Sequence, residues 1–326
     1  MRWTLRFALV IGSILLMLFS LALGPSHISV GEILSLFSGH VLSGNQGYII
    51  FQLRLPRIFS SFLSGAVLGL SGAVFQAALH NPMADPFILG VSSGASFGVA
   101  VALFLGLAPV LGFPLSALLG AILTTLFIFG LAMRRRSSQT TLLLTGVAVN
   151  YLLSAGMTLL MFLHKEQYQR ILFWTLGSFS SSTWNQVFIL ACTSFLVFSV
   201  LRMQHSKLDI LLLDEGSAQS TGLSVRKTRL ALLLVASLAS ALCTSYYGVI
   251  GFIGLMAPHV TRLLVGPKHQ RLLFPSALMG GFLLLASDTL SRILLPSGEL
   301  PVGVITSIIG VPLFIHLLRK GRYFYG

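Results

Sequence analysis

The sequence predicts an all-α polytopic membrane protein of about ten transmembrane helices, with both termini cytoplasmic, and three observations predict it. The chain is 55% hydrophobic and 9% charged over 326 residues. A soluble domain carries about 25% charged residues, so this one cannot cover a water-facing surface. Apolar runs near 20 residues, the length that crosses hydrocarbon, recur from one end of the chain to the other. The basic residues, finally, are shared unevenly between the two sides that those runs define.

The first run, near 7–23, follows Arg2 and Arg6. It has the outline of a signal peptide, but it is long for an h-region and Pro25 would stand at the first mature position. We read it as a retained first span. Further spans are expected near 58–79, 88–106, 113–133, 142–163, 186–201, 230–248, 250–265, 274–294 and 303–318. The eighth is short and glycine-flanked, yet Arg229 and Arg262 must share a side, so the apolar stretch between them has to leave and return.

Sixteen of the 21 lysines and arginines then fall on one side, among them Arg134, Arg135, Arg136, Arg226, Lys227 and Arg229. Only Arg54, Arg57, Lys165, Arg170 and Arg292 fall on the other. Such a bias places the rich side in the cytoplasm. The net charge of +13 is therefore topology, and nucleic acid is not an expected partner.

The chain reads as one transmembrane domain, 1–326, with no linker. The first span, near 7–23, is followed by a repeat at about 54–164, a sixth span and cytoplasmic loop at about 186–229, and a second repeat at about 230–318. Spans two to five start outside and spans seven to ten start inside, the outline of an inverted-topology repeat. Asn81-Pro82 has an echo in Ala257-Pro258-His259. Gly65, Gly69 and Gly72 share one helix face and allow close approach of a neighbour.

Chemistry inside the spans is sparse. There is no GxxxxGK[ST] loop for ATP phosphates. The eight histidines show no metal spacing, and no cofactor or metal is expected. Cys192 and Cys243 lie within spans and read as small apolar residues. Asp288 is the acid clearly inside a span, with Arg292 four residues on, so a local ion pair is expected. The lack of an unpaired intramembrane acid speaks against a proton-coupled secondary transporter.

One polar, proline-broken segment stands out: Gln76, then Asn81-Pro82-Met83-Ala84-Asp85-Pro86, then Leu89-Gly90. It is an elbow that lets one helix leave the bilayer and the next re-enter. With Arg54-Leu55-Pro56-Arg57, Ser92-Ser93-Gly94-Ala95, Gly251-Phe252-Ile253-Gly254-Leu255 and Glu299-Leu300-Pro301-Val302-Gly303, it resembles the FecCD-type permeases of ABC importers for iron-siderophores, haem and cobalamin.

That resemblance implies a homodimer around a central pathway, driven by two cytoplasmic ATPase subunits and supplied by an external substrate-binding protein. The chain itself would then be no enzyme. The resemblance implies three sites. Arg54, Arg57 and Arg292 match external arginines that receive glutamates of the binding protein, a chemistry suited to planar guanidinium groups. Asp214, Glu215, Ser217, Ala218, Thr221 and Gly222 match a coupling helix that docks on the ATPase, with Asp214 or Ser217 as its cap and Gly222 at its end. Asn81 with Met83, and Gln139 with Thr140, match the cytoplasmic gate.

The substrate implied is a metal chelate, ferric siderophore first, with haem or cobalamin as alternatives. Tyr151, Tyr246, Tyr247, His164 and Arg170 are candidates to line the outer vestibule.

Overall fold

A long, almost wholly buried helix, Leu55–Ala78, runs through the centre of the molecule, and Trp184–Met203, Val225–Tyr247, Ile253–Val265 and His269–Ile293 pack directly on it. The structure is a computed structural model that describes residues 2–24, 46–107, 109–134, 139–213, 215–295 and 298–319. Among these there are α-, 3-10 and π-helices and no strand. The end that the basic loops mark is called inner here, the other outer.

In chain order the helices are α1 (Arg2–Ala22), α2 (Leu55–Ala78), α3 (Val91–Phe104), α4 (Pro109–Arg134) and α5 (Gln139–Leu163). Then come α6 (Tyr168–Thr175), α7 (Trp184–Met203), α8 (His205–Ile210), α9 (Glu215–Ser220) and α10 (Val225–Tyr247). The last three are α11 (Ile253–Val265), α12 (His269–Ile293) and α13 (Val302–Arg319). Each expected span falls on a helix. Six are long and apolar enough to cross a membrane, and the other four fall on shorter apolar helices. The fold is that of an all-α polytopic membrane protein.

The central helix is α2. It is entered through a π-helix, Ile49–Arg54. Pro56 follows at once, in the first turn of α2, where a missing N–H is tolerated. The Leu55 N–H donates to Ile50 O, one residue further back than in an α-helix. Beyond it the glycine face works as expected. A Cβ on Gly65 would overlap the Gly280 carbonyl, and one on Gly69 the Ser276 carbonyl. Small residues thus bring α2 against α12 at backbone distance.

Two spans are broken. Helices α3 and α11 have 14 and 13 residues, roughly 20 Å each at 1.5 Å per residue, too short for ~30 Å of hydrocarbon. Irregular backbone precedes each: residues 79–90 before α3, with the short 3-10 turn Pro86–Leu89 among them, and 248–252 before α11. The second break is not at Ala257-Pro258-His259, where the sequence echo placed it. Pro258 sits inside α11, and the turn is made at Gly248 (φ +76) and Phe252 (φ +69). Pro258 leaves the Gly254 carbonyl without its helical donor, and that carbonyl lies against Gly72, where no Cβ could fit.

Candidate functional sites

At the outer end, four charged side chains from distant parts of the sequence form one cluster. Arg57, near the start of α2, donates from Nη2 to Asp288 Oδ1 at 2.8 Å and from Nε to both Asp288 oxygens at 3.0 and 3.1 Å. Its Nη1 donates to both oxygens of Glu299 at 2.9 and 2.8 Å. Arg292 lies 3.4 Å from Asp288 and donates to Ser20 Oγ of α1. The expected local pair Asp288–Arg292 therefore exists, but the shorter contacts of Asp288 go to Arg57. Arg54 donates to the Leu21 carbonyl at 2.7 Å. All three arginines are buried, at 5–8% exposure. They fasten α1, α2, α12 and the turn before α13 together; the side chain in this group with most access to solvent is Glu299, at 32%.

The elbow at 79–90 is built from local side-chain hydrogen bonds. Asn81 Oδ1 accepts from Met83 N–H at 2.9 Å, and Asp85 Oδ1 accepts from Phe87 N–H at 2.9 Å to cap the 3-10 turn Pro86–Leu89. Gly90 closes that turn with φ +81. Met83 is exposed, at 47%, and Thr140 at the start of α5 is also exposed. The Gln139 side chain lies outside what the structure describes. Two buried or half-buried side chains make bonds beside the elbow. Gln76 of α2 donates to Leu255 O of α11 at 2.9 Å. Asn150 of α5 donates to Ile88 O at 3.3 Å and accepts from Ser93 Oγ at 2.5 Å.

On the inner side, the predicted coupling segment is helical as α9 and ends at Gly222, whose φ of +79 is the left-handed conformation that glycine adopts without strain. Asp214 and the Glu215 side chain lie outside what is described. Ser217 falls inside the helix and does not cap it. Thr221 Oγ1 donates back to Ala218 O at 2.7 Å. Ala218 is buried at 1% in the chain's own core, so its small size serves packing beneath the helix, while Ser217, Thr221 and Gly222 are exposed.

Just before it, α8 is pinned to α12. Asp209 Oδ1 accepts from the His269 backbone N–H at 2.8 Å and from its ring Nδ1 at 2.7 Å. Lys268, at the N-cap of α12, has no side-chain acceptor to offer, so a residue 60 positions away caps that helix. Burial pushes the Asp209 carboxyl up, but the bonds from His269 outweigh it and hold it below the ordinary carboxylate value.

Of the vestibule candidates, Tyr247 is displaced by the structure. It is 2% exposed, donates to Ser60 Oγ at 2.9 Å and stacks near Phe179. Tyr151 is 75% exposed, and His164 and Arg170 are exposed at the outer end. Among the described residues no group of three or more His, Cys, Asp or Glu could hold a metal ion.

Residues 12–320 match the FecCD transport family. The chain belongs to that family. It is 40% identical to the uncharacterized ABC transporter permease protein YvrB of Bacillus subtilis, over 88% of this chain and 84% of that one. It is 40% identical to the cobalamin import system permease protein BtuC of Halobacterium salinarum, over 83% and 73%. It is 36% identical to the iron(3+)-hydroxamate import system permease protein FhuG of Bacillus subtilis, over 91% and 90%. A solved structure described as an inward-facing conformation of a metal-chelate-type ABC transporter superposes with a TM-score of 0.87, at 32% identity, covering 97% of this chain and 99% of that one.

Within this FecCD chain, sequence reading alone missed Asn150, Glu299 as a partner of Arg57, and the Asp209–His269 pin. A single polar residue in the middle of an apolar span was the available signal for Asn150. The other two join residues 242 and 60 positions apart, and no local pattern marks such pairs.

Proposed function

We propose that this chain is the permease subunit of a binding-protein-dependent ABC importer and forms the translocation pathway for a metal chelate, ferric siderophore first, with haem or cobalamin as alternatives. The observation that carries this reading is the family match over residues 12–320, joined to a near-complete superposition on a metal-chelate-type transporter. The names of relatives span iron-hydroxamate and cobalamin import, which supports the chelate class. ATP hydrolysis belongs to two separate cytoplasmic subunits, and a second copy of this chain completes the pathway in the bacterial inner membrane.

In this reading the outer cluster receives the binding protein. Arg54, Arg57 and Arg292 outnumber Asp288 and Glu299, so an acidic surface is attracted there. Glu299, the more exposed of the two acids, is the group an incoming carboxylate replaces on Arg57. Asn81, Met83, Gln139 and Thr140 narrow the inner end, where short polar and thioether side chains repack around a bulky cargo. The segment from Asp214 to Gly222 meets the ATPase.

Reconstitution with the cognate ATPase and binding protein tests the reading. ATP-dependent uptake of a chelate that is stimulated by the binding protein is expected. Uptake that follows a proton gradient and persists without ATP would falsify it. Charge reversal at Arg54 tests docking with the least damage to the buried Arg57 network; unchanged salt dependence of binding-protein affinity removes Arg54 from the docking surface.

A further inference from the structure

A cavity of about 340 Å³ opens at the inner end between α7 and α10. It is lined by Gln204, Lys207, Lys227 and Thr228 at the inner ends of the helices and by Val200, Ala231, Leu232 and Val235 further along them. The polar and apolar parts are layered along the helices. Lys227 and Val235 lie eight residues apart on α10, roughly 12 Å along the helix axis, so the wall runs into the hydrocarbon while the lysines stay at the headgroup level. Neither lysine joins an ion pair among the described residues. The nearby acid Asp209 is engaged with His269. The cavity is also continuous with a helix whose side chains face outward from the bundle, since Phe188, Phe195 and Leu196 of α7 are 59–75% exposed.

We propose that this groove binds an anionic phospholipid of the inner leaflet, with its phosphate between Lys207 and Lys227 and an acyl chain along Val200, Ala231 and Val235. Basic pockets between spans on the cytoplasmic side suit such headgroups. A protein occupant fits less well, because the wall belongs to two membrane spans rather than to the loop beyond them. Lys207 lies on α8 and Lys227 follows α9 in the chain, so the bound lipid braces both ends of the segment assigned to ATPase contact. The site does not depend on that assignment.

Native mass spectrometry of the full-length protein, titrated with dioleoylphosphatidylglycerol or dioleoylphosphatidylcholine, tests the site. The anionic lipid is expected to be retained roughly tenfold more strongly. K207Q/K227Q should erase that preference, K268Q should leave it, and Ala231→Phe should lower retention of both lipids by filling the groove. Equal retention by the wild type, or an undiminished preference in K207Q/K227Q, overturns the proposal. Displacement of the lipid by equimolar sn-glycerol 3-phosphate would reassign the groove to a soluble phosphate ester. Altered subunit stoichiometry in K207Q/K227Q, with lipid retention unchanged, would assign it to a protein partner.

Discussion

Arg57 and Asp288, 231 residues apart, share three hydrogen bonds of 2.8–3.1 Å with Asp288 fully buried. This pair joins α2 to α12 at the outer end. Removing Asp288 takes the one fully buried carboxylate from Arg57 and Arg292 and leaves Arg57 with Glu299 alone; breaking such a buried pair costs up to about 3–5 kcal/mol. Asp288→Ala should therefore lower the thermal midpoint of the detergent-solubilised protein sharply. Glu299→Gln should cost under about 1 kcal/mol, as expected for a partly exposed partner. A thermal midpoint for Asp288→Ala within a degree of wild type would show that the cluster does not hold the outer end together.

The approach of α2 to α12 makes a sterically selective prediction. Gly280→Ala places a Cβ on the Gly65 carbonyl, and the helices must separate, at a cost of about 1–3 kcal/mol. Gly130→Ala on α4 meets nothing within 4 Å and should gain up to about 1 kcal/mol of helix propensity. Melting curves of the two variants should move in opposite directions; equal shifts would mean that glycine acts here through chain flexibility alone.

For Asp209 the sign of the pH dependence follows from its depressed folded-state value. The unfolded chain binds the proton more readily, so this contribution is fully present above the ordinary carboxylate value of about 3.9 and lost as pH falls through the lower folded value. The α8–α12 pin should hold at every physiological pH. Asp209→Ala removes the cap of α12 and should cost about 1 kcal/mol, whereas Asp209→Asn keeps an acceptor and should cost less. Hydrogen exchange at the start of α12 reads the difference directly, and equal protection in both variants would refute a capping role.

A left-handed turn at Gly222 follows α9. Gly222→Val forces a β-branched residue to φ +79, a strain of about 1–3 kcal/mol. Ala218→Leu overfills a buried site beneath α9. Both should weaken ATPase association while leaving the spans folded, measured by co-purification and by circular dichroism. Unchanged co-purification in both variants would reduce α9 to a surface loop.

Much of this molecule was legible in the sequence. Composition and the length of each apolar run determine that backbone groups must be satisfied within helices, so the spans near 58–79 and 274–294 could be placed from hydropathy alone. The distribution of arginine and lysine fixed an expected orientation, and the face shared by Gly65, Gly69 and Gly72 announced a close helix contact. Only the tertiary structure decided what lay on the other side of that face. It paired Arg57 with Asp288 and Glu299, turned Tyr247 and Ala218 inward, and moved the second break from Pro258 to Gly248–Phe252. The physical reason is range. Helix periodicity and hydropathy act within about twenty residues of chain, whereas a buried charge takes whichever opposite charge the packed helices bring within hydrogen-bond reach.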